Sequence, residues 1–175
     1  VSMKVNTSNG ITHWNMGGVD VIPANTSGKS APAYSNYRWI ENDAPYGTDP
    51  YYSTSNGVNS RKYTVKMASD SSTVTITETG TGSLCNYKFV YTVNRDGTVD
   101  MQATYTPTGS NLRRIGMLME FNPELSMTKY YARGPLDNTI DRKQGSDLGI
   151  YDLPVSAFHV DYVRPQTSGD RQDLR

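Results

Sequence analysis

The chain has 175 residues, with 17 Lys plus Arg against 17 Asp plus Glu, a formal net charge of zero and a mean hydropathy of −0.62. A chain of this length buries about 70% of its unfolded surface around one core. Charge neutrality offers no basic footprint for a phosphate backbone, and these residues hold neither an 18-residue apolar run nor a charged-then-apolar leader, so neither nucleic acid nor membrane is expected as a partner.

Taken in chain order, SMKVN, ITHWN and GVDVI read as three short strands, with a turn signal at SNG, residues 8–10. Residues 23–60 follow, 38 positions rich in Pro, Ser, Asn, Gly and Tyr. Loops of that length are uncommon in compact domains and are functional or disordered. The aromatics Tyr34, Tyr37, Trp39, Tyr46, Tyr51 and Tyr52 argue for a loop that packs on something, because disordered segments are poor in such side chains.

From 61 to 121 the pattern alternates with period two, the signature of half-buried strands. Tyr63, Val65 and Met67 share one face, as do Val74 and Ile76, then Cys85, Tyr87, Phe89 and Tyr91, then Val99, Met101, Ala103 and Tyr105. Leu112 to Phe121 alternates too, with apolar residues on both sides, and is expected as a central strand. SDSS at 69–72, TGTGS at 79–83 and NRDG at 94–97 supply the turns. The expectation is an all-β, antiparallel two-sheet β-sandwich containing a five-strand meander. Residues 132–175 read as a second irregular region, with DYV and YDLPV as its only extended pieces.

Chemistry-bearing residues are sparse. Cys85 cannot form an internal disulfide and reads as a buried, inert thiol. Of the four glutamates, Glu78 reads as a solvated strand end and Glu120 and Glu124 as surface charge, so no glycosidase-type carboxylate pair stands out. His13 and His159 lie far apart with no further ligand at zinc spacing, DNTID lacks the spacing of a calcium loop, and there is no GxSxG elbow. No metal or other cofactor is expected in this chain. The irregular stretches do combine planar hydrogen-bonding groups (Arg38, Asn42, Asp43, Arg133, Asp137, Asn138, Asp141, Arg142, Gln166) with aromatics such as Trp39 and Tyr46. Such mixtures read sugar hydroxyls and stack on sugar rings, and the same groups equally pin long loops through Arg–Asp pairs and Asx turns.

GPLDNTIDR, then GIYDLPV, then YVRPQTSGDRQDLR resemble the C-terminal small-chain β-sandwich domain of glycoside hydrolase family 2 β-galactosidases. Gly134, Pro135, Asn138, Asp141 and Arg142 match the family pattern, as do Gly149, Tyr151, Tyr162, Val163, Pro165, Gln166, Gly169, Asp173 and Arg175. Tyr130, Asp137, Thr139 and Thr167 stand where Trp, Glu, Tyr and Glu are usual. NYRWIENDAPYG resembles the family's arginine-and-DND loop, with Arg38, Asn42 and Asp43 as counterparts and the loop from Gly47 to about Asn56 following it.

The resemblance implies a galactose mutarotase-like supersandwich, a single β-sandwich domain over 1–175, incomplete at its C-terminus and part of a larger multidomain glycosidase. It further implies bacterial cytoplasm or periplasm, galactoside substrates hydrolysed with retention, and catalytic glutamates on a TIM barrel of the same polypeptide, where family members often hold a divalent metal. The loops carrying Arg38, Trp39, Asn42, Asp43, Tyr46, Gly47, Arg133, Asp137, Asn138, Asp141, Arg142 and Gln166 would line the sugar pocket or dock on the barrel. Two other classes stand beside this one. An independent carbohydrate-binding module would bind sugar unaided through Trp39 or Tyr46, and an aldose epimerase-like domain would need a His and Glu pair converging in a concave face.

Overall fold

The computed structural model describes residues 1–7, 10–23, 32–35, 58–82, 84–108, 115–162 and 168–175. The described residues form antiparallel β-structure with two short 3-10 helices, in agreement with the all-β expectation. They divide into two compact units, one ending at Asn122 and the other running from Pro123 to Arg175.

In the first unit, β1 (Ser2–Asn6), β2 (Gly10–Met16) and β3 (Val19–Ile22) make a sheet in that order. β4 (Ala33–Ser35) pairs with β9 (Gly116–Leu118). β5 (Val58–Met67), β6 (Thr73–Gly82), β7 (Cys85–Asn94) and β8 (Val99–Pro107) form a four-stranded meander. Alternation drives each strand: in β7, Cys85, Tyr87, Phe89 and Tyr91 are buried while Asn86 and Lys88 are exposed, so one parity faces the core and the other water. The NRDG turn closes the last hairpin. The Gly97 amide donates to the Asn94 carbonyl at 3.0 Å, and Gly97 takes φ +92°, which a side chain would resist.

Ile11, Trp14 and Ile22 of the first sheet, Tyr34 of β4, and Ile76, Cys85, Tyr87, Phe89 and Tyr91 of the meander belong to one buried cluster. Two apolar sheet faces therefore enclose a sandwich core. Its aromatics interlock, with Tyr34 stacked on Tyr87 at 5.2 Å between centroids, Tyr87 tilted on Phe89 at 4.8 Å, and Phe89 edge-on to Tyr105 at 5.8 Å. Cys85 lies inside this cluster, where burial raises its thiol pKa, as its parity indicates.

Two expectations change. Among the described residues the meander has four strands, and the described part of the stretch expected as a central strand, residues 115–121, contributes Gly116–Leu118, whose strand partner is β4. Beyond it the chain leaves strand geometry: the Asn122 amide bonds back to the Val21 carbonyl at 2.9 Å, and Phe121 is exposed. The apolar parity is also only partly covered at the sheet edges, where Val65 and Met67 of β5 and Met101 and Ala103 of β8 are exposed.

In the second unit, β10 (Met127–Gly134) pairs with β11 (Asp147–Pro154), Tyr130 opposite Tyr151. A 3-10 helix at Ile140–Gly145 lies between them and another at Val155–Phe158 follows. The region expected to be irregular thus contains a regular eight-residue strand, β11, of which Tyr151–Pro154 falls within the extended piece YDLPV. One face of the hairpin explains it: Tyr130 packs at 5.6 Å against both Tyr151 and Phe158, and Ala132 is fully buried beside them. The closing segment runs antiparallel along the other edge of β10, with the Arg133 amide donating to the Gln172 carbonyl at 2.9 Å and the Arg175 amide to the Tyr131 carbonyl at 3.0 Å.

Candidate functional site

The described polar residues of GPLDNTIDR converge in the second unit with residues that sequence reasoning did not single out as site candidates. Asn138 is fully buried. Its side-chain amide donates to the carbonyls of Arg133 at 3.0 Å and Leu136 at 2.8 Å and accepts the Gln172 amide at 2.8 Å, while its own backbone amide donates to the Asp170 carbonyl. Asn is suited to this position because two donors and an acceptor are needed at once.

Asp137 beside it is 5% exposed in its side chain. One carboxylate oxygen accepts from Arg142 at 3.1 Å and from the Tyr162 hydroxyl; the other accepts the Asp170 amide. Arg142, about half exposed, also bonds to the Tyr162 hydroxyl and lies 5.3 Å over that ring. The Tyr162 bond first, then the charges of Asp137 and Asp141, raise the Arg142 pKa. Asp141 accepts from the Thr139 hydroxyl, and this bond above all holds its carboxyl below the usual range. Arg133 spans two segments, donating to Asp173 at 2.8 Å and to the Ser146 carbonyl at 2.9 Å. Lys143 donates to the other oxygen of Asp173 at 2.8 Å, and the two cations depress the Asp173 pKa, Lys143 first.

Beneath these groups lies Arg171, only 6% exposed in its side chain. Its guanidinium sits 4.5 Å over the Phe158 ring and 5.6 Å over the Tyr130 ring, and donates to the Tyr130 hydroxyl at 2.9 Å and to the carbonyls of Pro135 at 2.7 Å and Asp170 at 2.9 Å. Asp137 supplies the counter-charge at 4.0 Å. Of the sequence candidates, Arg133, Asp137, Asn138, Asp141 and Arg142 are therefore brought together in one network, whose further members include Thr139, Lys143, Tyr162, Asp170, Arg171, Gln172 and Asp173. The density of Arg and Asp in SGDRQDLR was the available signal for the last four of these. Arg38, Trp39, Asn42, Asp43, Tyr46, Gly47 and Gln166 lie outside the described residues.

A second polar cluster sits within the sandwich of the first unit and overturns one expectation. Glu78 is 1% exposed, in mid-strand on β6, where it was read as a solvated end. Its parity with Val74 and Ile76 turns it inward, opposite Tyr63 on β5 and Phe89 on β7. Burial becomes tolerable because the Tyr87 hydroxyl donates to it at 2.8 Å. Burial first, then the Glu78 charge, push the phenols of Tyr63 and Tyr87 well above their ordinary pKa, with the Arg61 charge partly opposing. The two imidazoles meet aspartates, His13 bonding Asp20 at 2.9 Å and His159 bonding Asp161 at 2.8 Å.

Comparison with known proteins now bears on these clusters. The chain is 30% identical over 117 residues to a β-galactosidase of Priestia megaterium, a match covering 66% of this chain and 11% of that protein. It is 31% identical over 93 residues, 50% of its length and 9% of the relative's, to a β-galactosidase of Halalkalibacterium halodurans. It is 31% identical over 64 residues, 37% of its length and 6% of the relative's, to a β-galactosidase of Vibrio cholerae. The chain thus spans roughly a tenth of the length of the first two relatives. A family model described as the β-galactosidase small chain matches residues 1–175, the whole sequence, so the chain belongs to the β-galactosidase small chain family.

Proposed function

We propose that this chain is a non-catalytic part of a β-galactosidase that hydrolyses terminal β-galactosides with retention, packing on a catalytic barrel of the same polypeptide and helping to line its sugar pocket. Family membership along the whole chain is the observation that carries this reading. The chemistry supports it. A retaining glycosidase needs two carboxylates about 5–5.5 Å apart and facing substrate, one protonated and one free to attack. Two buried carboxylates, Glu78 and Asp137, are each engaged by neighbouring hydroxyl, amide or guanidinium donors. In this reading the catalytic glutamates are supplied by the barrel, and this chain contributes a rigid support for its loops.

The supersandwich architecture, and a pocket-lining role for the segment with Arg38, Trp39, Asn42, Asp43, Tyr46 and Gly47, rest on sequence resemblance and belong to the same proposal. The test is an assay of the purified 175-residue chain on a chromogenic β-galactoside, beside the full-length parent and a parent lacking this stretch. The chain alone and the shortened parent are expected to be inactive. Turnover by the chain comparable to the full-length enzyme, or full activity without the stretch, overturns the reading.

A further inference from the structure

We infer that Arg171 is the positioning residue of a latch: its guanidinium, stacked on Phe158 and Tyr130 and facing Asp137, holds residues 168–175 along the outer edge of β10, and without it that segment detaches while the β10–β11 hairpin persists. The inference is independent of any catalytic role and adds to the proposed docking function the element that would fix which surface is presented.

The closing segment, residues 168–175, has no regular strand or helix of its own. Backbone bonds join it to β10 at two points, Arg133 to Gln172 and Arg175 to Tyr131. Further ties run to GPLDNTIDR and the residues flanking it: the Asn138 amide donates to the Asp170 carbonyl, Asp137 takes the Asp170 amide, Asn138 takes the Gln172 amide, and Asp173 meets Arg133 and Lys143. An edge segment held this way has little apolar surface to anchor it, since Leu174 is exposed. Arg171 is the exception. Its side chain is only 6% exposed, and it reaches three partners far away in sequence: the Tyr130 hydroxyl, the Pro135 carbonyl and the Phe158 ring.

Those ties are charge-assisted and planar, which suits a fork of fixed geometry and not a point charge. The hairpin has its own support: a full cross-strand register from Met127–Pro154 to Gly134–Asp147, and the Tyr130–Tyr151 contact. Two sets of bonds with separate supports can open separately.

Hydrogen exchange with mass spectrometry on the full 175-residue chain tests this, comparing the wild type with Arg171→Lys and Arg171→Met. The latch predicts that amides of 168–175, together with Arg133 and Asn138 whose acceptors lie in that segment, exchange about tenfold faster or more, the equivalent of losing one charge-assisted hydrogen bond. Amides of β11 keep their protection. Lys retains charge without the fork and is expected to rescue only part of the loss. Unchanged exchange in both variants overturns the inference, and so does a loss that spreads equally to β11, which would make Arg171 part of one indivisible core. A parent enzyme whose activity is indifferent to this chain would sink the proposed function and leave the latch standing.

Discussion

At the scale of single residues, the buried polar groups are specified by donor count. Asn138 offers two donors to two carbonyls and one acceptor to an amide, so Asn138→Asp keeps the shape while placing a carboxylate against the carbonyls of Arg133 and Leu136. An uncompensated buried charge of this kind costs about 3–5 kcal/mol. Chemical denaturation followed by a probe in the second unit is expected to show a loss of that order, and a loss under about 1 kcal/mol would mean that the site admits water. Asp173 gives a pH-dependent counterpart. Lys143 and Arg133 hold its folded pKa below the ordinary value of 3.8, so its contribution is complete above that value and disappears as pH falls through the folded one. Asp20, Asp70, Asp96 and Asp141 are depressed as well, by bonds from Asn15, Ser72, Thr98 and Thr139 respectively. Thermal melts are therefore expected to lose midpoint as pH drops below about 4. Asp173→Asn should flatten part of that slope, and an unchanged slope would show that its ion pairs do not contribute.

At the scale of elements, the best test is the β6–β7 pair. Gly80 lies opposite Tyr87, and a Cβ built on it would come within 2.2 Å of the Tyr87 ring. The glycine is what lets that ring lie over β6 and carry its hydroxyl to Glu78 while stacking on Tyr34. Gly80→Ala is expected to destabilise the first unit by about 1–3 kcal/mol from overpacking, with more to follow if Glu78 loses its donor. Tyr87→Phe isolates that second contribution, about 1–3 kcal/mol for an unsatisfied buried acceptor. Urea midpoints should fall for both with little change in m.

The same strands indicate what was legible in the sequence. The parity of TVTITETG and CNYKFVYTV, with the NRDG turn, fixes the central hairpins, and the three short leading strands are equally plain. Glu78 was misread because its polarity was given more weight than its parity, although parity alone assigns it to the core. Only the second half of β11, within YDLPV, was expected as extended, because Gly and Asp dominate its first half. Its stability comes from Tyr130, Tyr151 and Phe158 meeting across long sequence separation, which no local pattern reveals. Five polar residues of the network stood out as site candidates, and Asp173 as a match to the family pattern, but that Arg171 and Asp173 are their partners emerged only once the closing segment was seen beside β10.

At the scale of the whole molecule, charge balance and exposed apolar surface act together. The sequence pI is about 6.9, so at neutral pH little net repulsion separates copies of the chain. Meanwhile Ile140 is 83% exposed and Ile150 69% exposed, each an aliphatic side chain gaining nothing from the fold and available to another surface. Solubility of the isolated chain is expected to be lowest near pH 6.9 and to rise on either side. Replacing both isoleucines separates the two causes. Ile140→Ser with Ile150→Ser removes apolar surface at constant charge and should raise solubility without moving the minimum. Ile140→Lys with Ile150→Lys adds two positive charges as well, so the minimum should also shift to higher pH. Because both sites are exposed, either pair should change folding stability by about 0.5 kcal/mol or less per site. Static light scattering across pH 5–9 checks this. If the serine pair leaves scattering unchanged while the lysine pair suppresses it, self-association is governed by net charge alone and these two side chains are bystanders.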